Sequence, residues 1–254
     1  MARKPGFPAQ LDLPGAAAKA ARAAPASLPA STAIPQGLGL DSAAVRAHMV
    51  QKLARNGIRN AAVLHAMATV ERHRFVDSAL VTQAYEDISL PIGLGQTISK
   101  PSIVARMAEL LLGAPAAQHG LGRVLEIGTG CGYQAAVLSM MAREVYSMER
   151  LRQLHEKARH NLRPLRLANV HLLFGDGMLG YAQGAPYAGI LAAAGGQAVP
   201  QPWCDQLAVG GRLVAPMAVA GGQQVLLVLD KTAHGLQQTL LEPVHFVPLK
   251  SGIA

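Results

Sequence analysis

Cysteine is nearly absent from this chain, with Cys131 and Cys204 the only two in 254 residues. Two thiols cannot staple a disulfide scaffold, and neither has a second Cys or a His at zinc-ligand spacing beside it. A disulfide-rich secreted fold and a zinc site are therefore excluded, no metal is expected, and a reducing cytoplasm is the expected location. Aromatic residues are also scarce, at four Phe, five Tyr and one Trp. Single-strand nucleic-acid binders interleave stacking aromatics with their basic groove, so nucleic acid is not an expected partner despite a net charge of +8. No run approaches the roughly 18 apolar residues of a membrane span. The most apolar window, from Gly189 to Gly196, is short and rich in Ala and Gly, so no membrane partner is expected. With 50% hydrophobic and 15% charged residues the chain is too apolar for overall disorder. Its length suits one sizeable core.

Residues 1–40 hold 12 Ala, 6 Pro and 4 Gly and read as a disordered extension. A secretory signal is the alternative reading of Arg3 and Lys4 before an Ala-rich stretch, but Asp12, Pro14, Lys19 and Arg22 interrupt any apolar region. The four basic residues there against one Asp leave about five positive charges to be spread over the rest. From residue 41 the pattern is that of a folded domain running to residue 254. Asp41 or Ser42 is placed to cap a helix with Val45, Met49 and Leu53 on one face, and Asn60 to Val70 forms a second. Tyr85 to Ser99, punctuated by Pro91, Gly93 and Gly95, reads as an ordered loop, and Pro101 opens a further helix.

Beyond Gly120 short β-rich runs alternate with helices. Strands are expected at Val124–Ile127, Val145–Met148 and Val170–Phe174, with helices at Tyr133–Met141 and Leu151–Leu162 between them. Two more strand and helix pairs follow, around Gly189–Ala194 and Gly211–Pro216. Gln224–Asp230 and Leu240–Pro248, joined at His234-Gly235, form a terminal hairpin that adds an antiparallel strand. The fold class is α/β, a doubly wound and mostly parallel seven-stranded sheet with a helical N-terminal lead-in.

The sharpest local pattern is Glu126-Ile-Gly128-Thr129-Gly130-Cys-Gly132, after a strand and before a helix, where glycines let a nucleotide-like ligand approach the backbone. Glu149 closes the next strand, 21 residues after Gly128, where a carboxylate can accept from both hydroxyls of a ribose. Asp176, in Gly175-Asp176-Gly177, follows the third strand, where such folds approach an adenine edge. Taken singly, each is explained by a tight turn or a strand end; together they mark the carboxyl edge of an open sheet. Tyr133 stands where a dinucleotide loop needs its third glycine. The Gly-x-Gly-x-Gly form, with an acidic residue two before the first Gly, resembles the cofactor loop of S-adenosylmethionine-dependent methyltransferases of the Rossmann-like fold.

The segment from Ala84 to Ser99 then resembles the active-site loop of the protein-L-isoaspartate O-methyltransferase family, with its Gly-x-x-Gln-Thr-Ile-Ser signature at Gly93 to Ser99. The likeness continues through Arg72-His-Arg-Phe-Val76, Val124 to Val137, Gly175 to Gly180, Gly210-Gly-Arg-Leu213 and Phe246-Val-Pro-Leu249, covering roughly residues 41 to 254. The resemblance implies transfer of a methyl group from S-adenosylmethionine to the free α-carboxylate of isoaspartyl residues in damaged proteins, which starts their repair. It makes Ser99 the active-site residue, with Gln96, Thr97 and Ile98 shaping the substrate loop. Glu126, Gly128, Thr129, Gly130, Gly132, Glu149, Asp176 and Gly177 become the cofactor residues. Isoaspartyl peptides and proteins are the expected partners, and a monomer is expected because no exposed heptads occur.

For Ser99 the competing reading is a helix cap before Pro101. His73 reads as a packing or surface residue, and Cys131 as a small side chain at a helix start. The chain departs from the family at Ala188, after Tyr187, where an Asp is usual, and at Glu71, where a Pro is usual. A same-fold methyltransferase with another substrate is the alternative the altered strand raises. A non-catalytic binder is the alternative the charge raises.

Overall fold

The structure, a computed structural model, describes residues 43–118 and 120–254. The expected extension at 1–40 and the capping residues Asp41 and Ser42 lie outside the described residues.

Helices α1 (Ala43–Arg55) and α2 (Ala61–Thr69) form the lead-in. Asn60 caps α2, its side chain accepting from the backbone N–H of Ala62 and Val63. The segment expected to be a loop contains a small hairpin instead, β1 (Leu90–Gly93) against β2 (Gln96–Ile98). Its turn is made by Gly93, Leu94 and Gly95, all at positive φ, and two glycines in three residues make that reversal accessible. At two or three paired residues the strands are too short for a period-2 pattern to show in the sequence.

Helix α3 (Pro101–Leu112) starts on its proline and buries Val104, Met107, Ala108 and Leu111. There follow β3 (Leu121–Ile127), α4 (Tyr133–Ser139), β4 (Ala142–Glu149), α5 (Arg152–Leu162), β5 (Val170–Phe174), β6 (Tyr187–Ala192), α6 (Gln201–Gln206), β7 (Leu207–Ala218), β8 (Gln224–Thr232) and β9 (Gly235–Val244). The seven strands from β3 onward are ordered β5-β4-β3-β6-β7-β8-β9. The first five run parallel, and β8 is antiparallel to both neighbours. Two expectations are corrected. No helix follows β7, which turns at Gly221 and Gly222, both at positive φ, straight into β8. The last strand also starts and ends earlier than Leu240–Pro248.

Central strand β3 is buried from Val124 to Ile127, as expected where helices cover both faces, with Glu126 the one polar residue in that run. One core lies under α1 to α5; the other gathers Trp203, Tyr187, Ile190 and Leu213 on the opposite face. The parallel connections bring the carboxyl ends of β3, β4 and β6 to one rim, the edge where open α/β sheets bind ligands.

Candidate active site

The loop between β3 and α4 is built from glycines in left-handed backbone: Gly128 at φ 94°, Gly130 at 57° and Gly132 at 92°. A Cβ on Gly130 would come within 3.1 Å of Ile92 Cδ1, and one on Gly132 within 3.0 Å of Leu162 Cδ1. Gly130 thus keeps room beside the hairpin, and Gly132 lets α4 pack on α5. The loop is latched to β4 by Gly128 N–H and Thr129 N–H, which both donate to the Met148 carbonyl at 2.8 and 3.3 Å. Thr129 Oγ1 meets Ser147 Oγ at 2.6 Å, and Ser147 in turn donates to Glu126. Glu126 is fully buried beneath the loop, and burial pushes its carboxyl up to about 8.

Glu149 closes β4 with both oxygens fixed: Oε2 accepts from Gly130 N–H and Oε1 from Leu151 N–H, each at 2.9 Å. It lines a cavity of about 210 Å³ together with Gly128, Gly130, Gly177 and the apolar Met148, Leu151 and Leu154. Gln96 and Thr97 of the hairpin form another wall. A constriction of about 30 Å³, lined by Thr97, Ile98, Ser99, Thr129 and Gly130, adjoins this cavity through shared Thr97, Gly128, Gly130 and Ala193. Ser99, Thr97 and Ala193 also line an outer groove of about 370 Å³ with Lys100, His245 and Phe246. Ser99 therefore stands between an inner cavity and an open groove.

The structure brings together on these walls Gln96, Thr97, Ile98, Ser99, Gly128, Thr129, Gly130, Glu149 and Gly177. Glu126, Gly132 and Asp176 are not on the walls. Asp176 is engaged elsewhere, Oδ1 accepting from Met178 N–H at 2.9 Å and Oδ2 from Gly252 N–H at 2.6 Å. Sequence reasoning gave no site role to the segment after β9. Gly195 N–H donates to the Val247 carbonyl and Leu249 N–H to the Gly195 carbonyl, both at 2.8 Å. That clasp places Val247, Pro248 and Leu249 on the cavity wall, and the bare Ala192–Gly196 stretch is what lets another backbone come so close.

Ser99 is not the cap of α3. That role falls to Asp87, whose Oδ1 accepts from Ser102 N–H at 2.8 Å. Cys131 is buried and burial pushes its thiol up to about 11, so it is no nucleophile at neutral pH. His73 Nδ1 lies 2.7 Å from the Tyr85 hydroxyl, in the packing role expected of it. Ala188 sits near the amino end of β6, away from the cavity walls, beside an irregularity in the pairing with β7.

A cleft at this rim, with a glycine loop and an acidic residue closing the second strand, defines a methyltransferase of the Rossmann-like class. Comparison with known proteins narrows the class. Residues 44–254 match the model of the protein-L-isoaspartate(D-aspartate) O-methyltransferase family. The chain is 61% identical over 220 residues to a protein-L-isoaspartate O-methyltransferase of Methylibium petroleiphilum, covering 86% of this chain and 81% of that one. A solved protein-L-isoaspartate O-methyltransferase superposes with a TM-score of 0.73 at 29% identity, covering 82% of this chain and 67% of that one. A structure from Plasmodium falciparum, described as a putative enzyme of the same kind in complex with S-adenosyl-L-homocysteine, shares the fold. Its TM-score is 0.68 at 23% identity, over 81% of this chain and 98% of that one. The chain belongs to the protein-L-isoaspartate O-methyltransferase family, and its reaction is methylation of isoaspartyl residues with S-adenosylmethionine.

The residues present fit that cofactor. Two left-handed glycines and the small Ala193 leave the backbone approachable, Glu149 offers a carboxylate to ribose hydroxyls, and Met148, Leu151 and Leu154 offer an apolar surface to an adenine ring.

Proposed function

We propose that the inner cavity holds S-adenosylmethionine, that the outer groove takes the isoaspartyl peptide, and that Ser99 orients the substrate carboxylate at the constriction between them. The observation that carries this reading is the position of Ser99 on both the constriction and the groove, with its hydroxyl not used as a helix cap. When bound, S-adenosylmethionine supplies an electrophilic methyl group. The isoaspartyl α-carboxylate is already ionised at pH 7, because such groups titrate near 3.5, so no general base is required. What the chain contributes is placement and exclusion of water. Ser99 donates to one carboxylate oxygen, Thr97 and Ile98 close the constriction, and Gln96 extends the loop.

Glu149 and the backbone of Gly128, Thr129 and Gly130 bind the cofactor, with Gly177 on the far wall. Glu126, Gly132 and Asp176 position rather than touch it: Glu126 under the loop, Gly132 at the helix contact, and Asp176 by tying its turn to Gly252. The chain is read as a cytoplasmic monomer with residues 1–40 as an extension to the catalytic domain and no nucleic-acid partner. Two buried free cysteines suit a reducing compartment. Among the described residues no helix is long and apolar enough to cross a membrane.

The test is methyl transfer from labelled S-adenosylmethionine to a synthetic isoaspartyl peptide and to its aspartyl twin. Selective labelling of the isoaspartyl peptide is expected; equal labelling of both would overturn the proposal.

A further inference from the structure

The surplus charge of the folded part is concentrated, against the even spread expected from composition. Residues 41–254 carry 19 Lys and Arg against 14 Asp and Glu, and the 17 residues from Arg150 to Arg166 alone carry six against one. The excess of five in that short stretch equals the excess of the whole. Arg159, His160, Arg163 and Arg166 are exposed along α5 and the turn after it. They rim a groove of about 620 Å³ whose floor includes Leu162, Leu167, Val170 and Leu172. Arg159 is paired with Glu156 at 3.0 Å. Among the described residues the side chains of Arg163 and Arg166 have no hydrogen-bond or ion-pair partner.

Two further features belong to the same groove. β5 is the edge strand, paired with β4 on one side only, so beyond Val170, whose N–H donates to the Leu167 carbonyl at 3.4 Å, its outer backbone groups are open to an added strand. Arg166 holds left-handed backbone, φ 48° and ψ 44°, a strain that glycine would avoid. A turn that accepts this strain keeps a guanidinium on the rim.

We propose that this groove binds an extended acidic peptide segment of a partner protein. The segment adds its backbone to the outer edge of β5, sets apolar side chains on the floor and places carboxylates on Arg163 and Arg166. Nucleic acid fits less well, because no Phe, Tyr or Trp lines the groove to stack a base. Residues 1–40 do not complement it either, with four basic residues against one acidic. A second copy of the chain would bring like charge to like. The groove shares no lining residue with the cofactor cavity, which Leu151 and Leu154 line.

The test uses the full chain and the fluorescence anisotropy of a labelled ten-residue peptide of alternating Glu and Val. A Lys–Val counterpart and a ten-nucleotide single-stranded DNA are measured beside it. The Glu–Val peptide is expected to bind saturably and more weakly as salt rises. In R163E/R166E its affinity falls by about tenfold or more, while methylation of a short isoaspartyl peptide is unchanged. Arg166→Gly weakens binding yet holds or raises Tm, the opposite of what a structural arginine would do. Absence of saturable Glu–Val binding, indifference to the double reversal, or tighter binding of the DNA would overturn the proposal. The binding and Tm readouts do not involve methyl transfer, so failure of the isoaspartyl assay leaves them standing.

Discussion

The guanidinium of Arg72 lies 5.0 Å from the centroid of the Tyr133 ring, and both side chains are fully buried. Arg72 precedes the substrate loop and holds its start, donating from Nε to the Ala84 carbonyl at 2.8 Å and from Nη2 to the Ile88 carbonyl at 3.4 Å. Tyr133 opens α4 directly after the glycine loop, its ring meeting Phe75 edge-on at 5.5 Å and its hydroxyl 3.7 Å from Met67 sulfur. One stacked pair thus couples the segment that carries Ser99 to the loop that lines the cofactor cavity. Arg72→Ala leaves a cavity and strips two buried carbonyls of their donor. The expected loss is about 3–5 kcal/mol of stability by urea denaturation. An unchanged midpoint would show that the pair couples nothing.

Glu149→Gln tests the cofactor side. Both carboxylate oxygens accept backbone N–H groups, from Gly130 and Leu151. The amide of Gln would point a donor at one of those donors and weaken hydrogen bonds to the ribose. Affinity for S-adenosylhomocysteine by calorimetry should fall about 10- to 100-fold, the equivalent of roughly 1.4–2.7 kcal/mol. A dissociation constant within twofold of the parent would remove Glu149 from the cofactor site.

How much of this was legible in the sequence depends on whether the signal was local. The expected and observed bounds of β5 coincide, and Glu126 to Gly132 and Glu149 fall on the expected strand ends, because glycine conformation and apolar runs are properties of neighbouring residues. The β1–β2 hairpin carries no such local signal, because β2 spans only three residues. The covering segment Val247–Leu249 was matched to the family but assigned no site role, since its placement depends on hydrogen bonds to Gly195 from some fifty residues away. The concentration of charge at Arg150–Arg166 was present in the sequence, yet what gives it a shape is the apolar floor that β5 and α5 bring together.

Glu126 carries a pH dependence whose direction follows from its burial. Desolvation pushes its carboxyl up to about 8, with the Ser147 hydroxyl acting the other way. The unfolded carboxyl titrates near 4.3, so between about pH 4.5 and 8 the folded chain binds a proton that the unfolded chain has released. Glu126 therefore makes stability fall as pH rises through that window and adds no slope above it. Glu126→Gln keeps an acceptor for Ser147 and does not ionise. The stability gap between variant and parent should widen in the variant's favour by about 1.4 kcal/mol per pH unit in the middle of the window. Parallel pH profiles of Tm for the two proteins would show that Glu126 is not proton-bound in the fold.

Ser99→Ala separates the two roles its position allows. A cap would lose about 1 kcal/mol on truncation, but Asp87 already accepts from Ser102 N–H at 2.8 Å. Ser99 is half-buried with no structural bond to lose, so Tm should stay within the change of about 0.5 kcal/mol typical of unconstrained sites. A hydroxyl donating to a carboxylate contributes about 1.5–3 kcal/mol when the site excludes water. The corresponding fall in kcat/KM for an isoaspartyl peptide is about 10- to 100-fold, with affinity for S-adenosylhomocysteine unchanged, because Ser99 does not line the inner cavity. Lost stability with intact turnover would return Ser99 to the helix. Lost cofactor affinity would place its hydroxyl on the wrong side of the constriction.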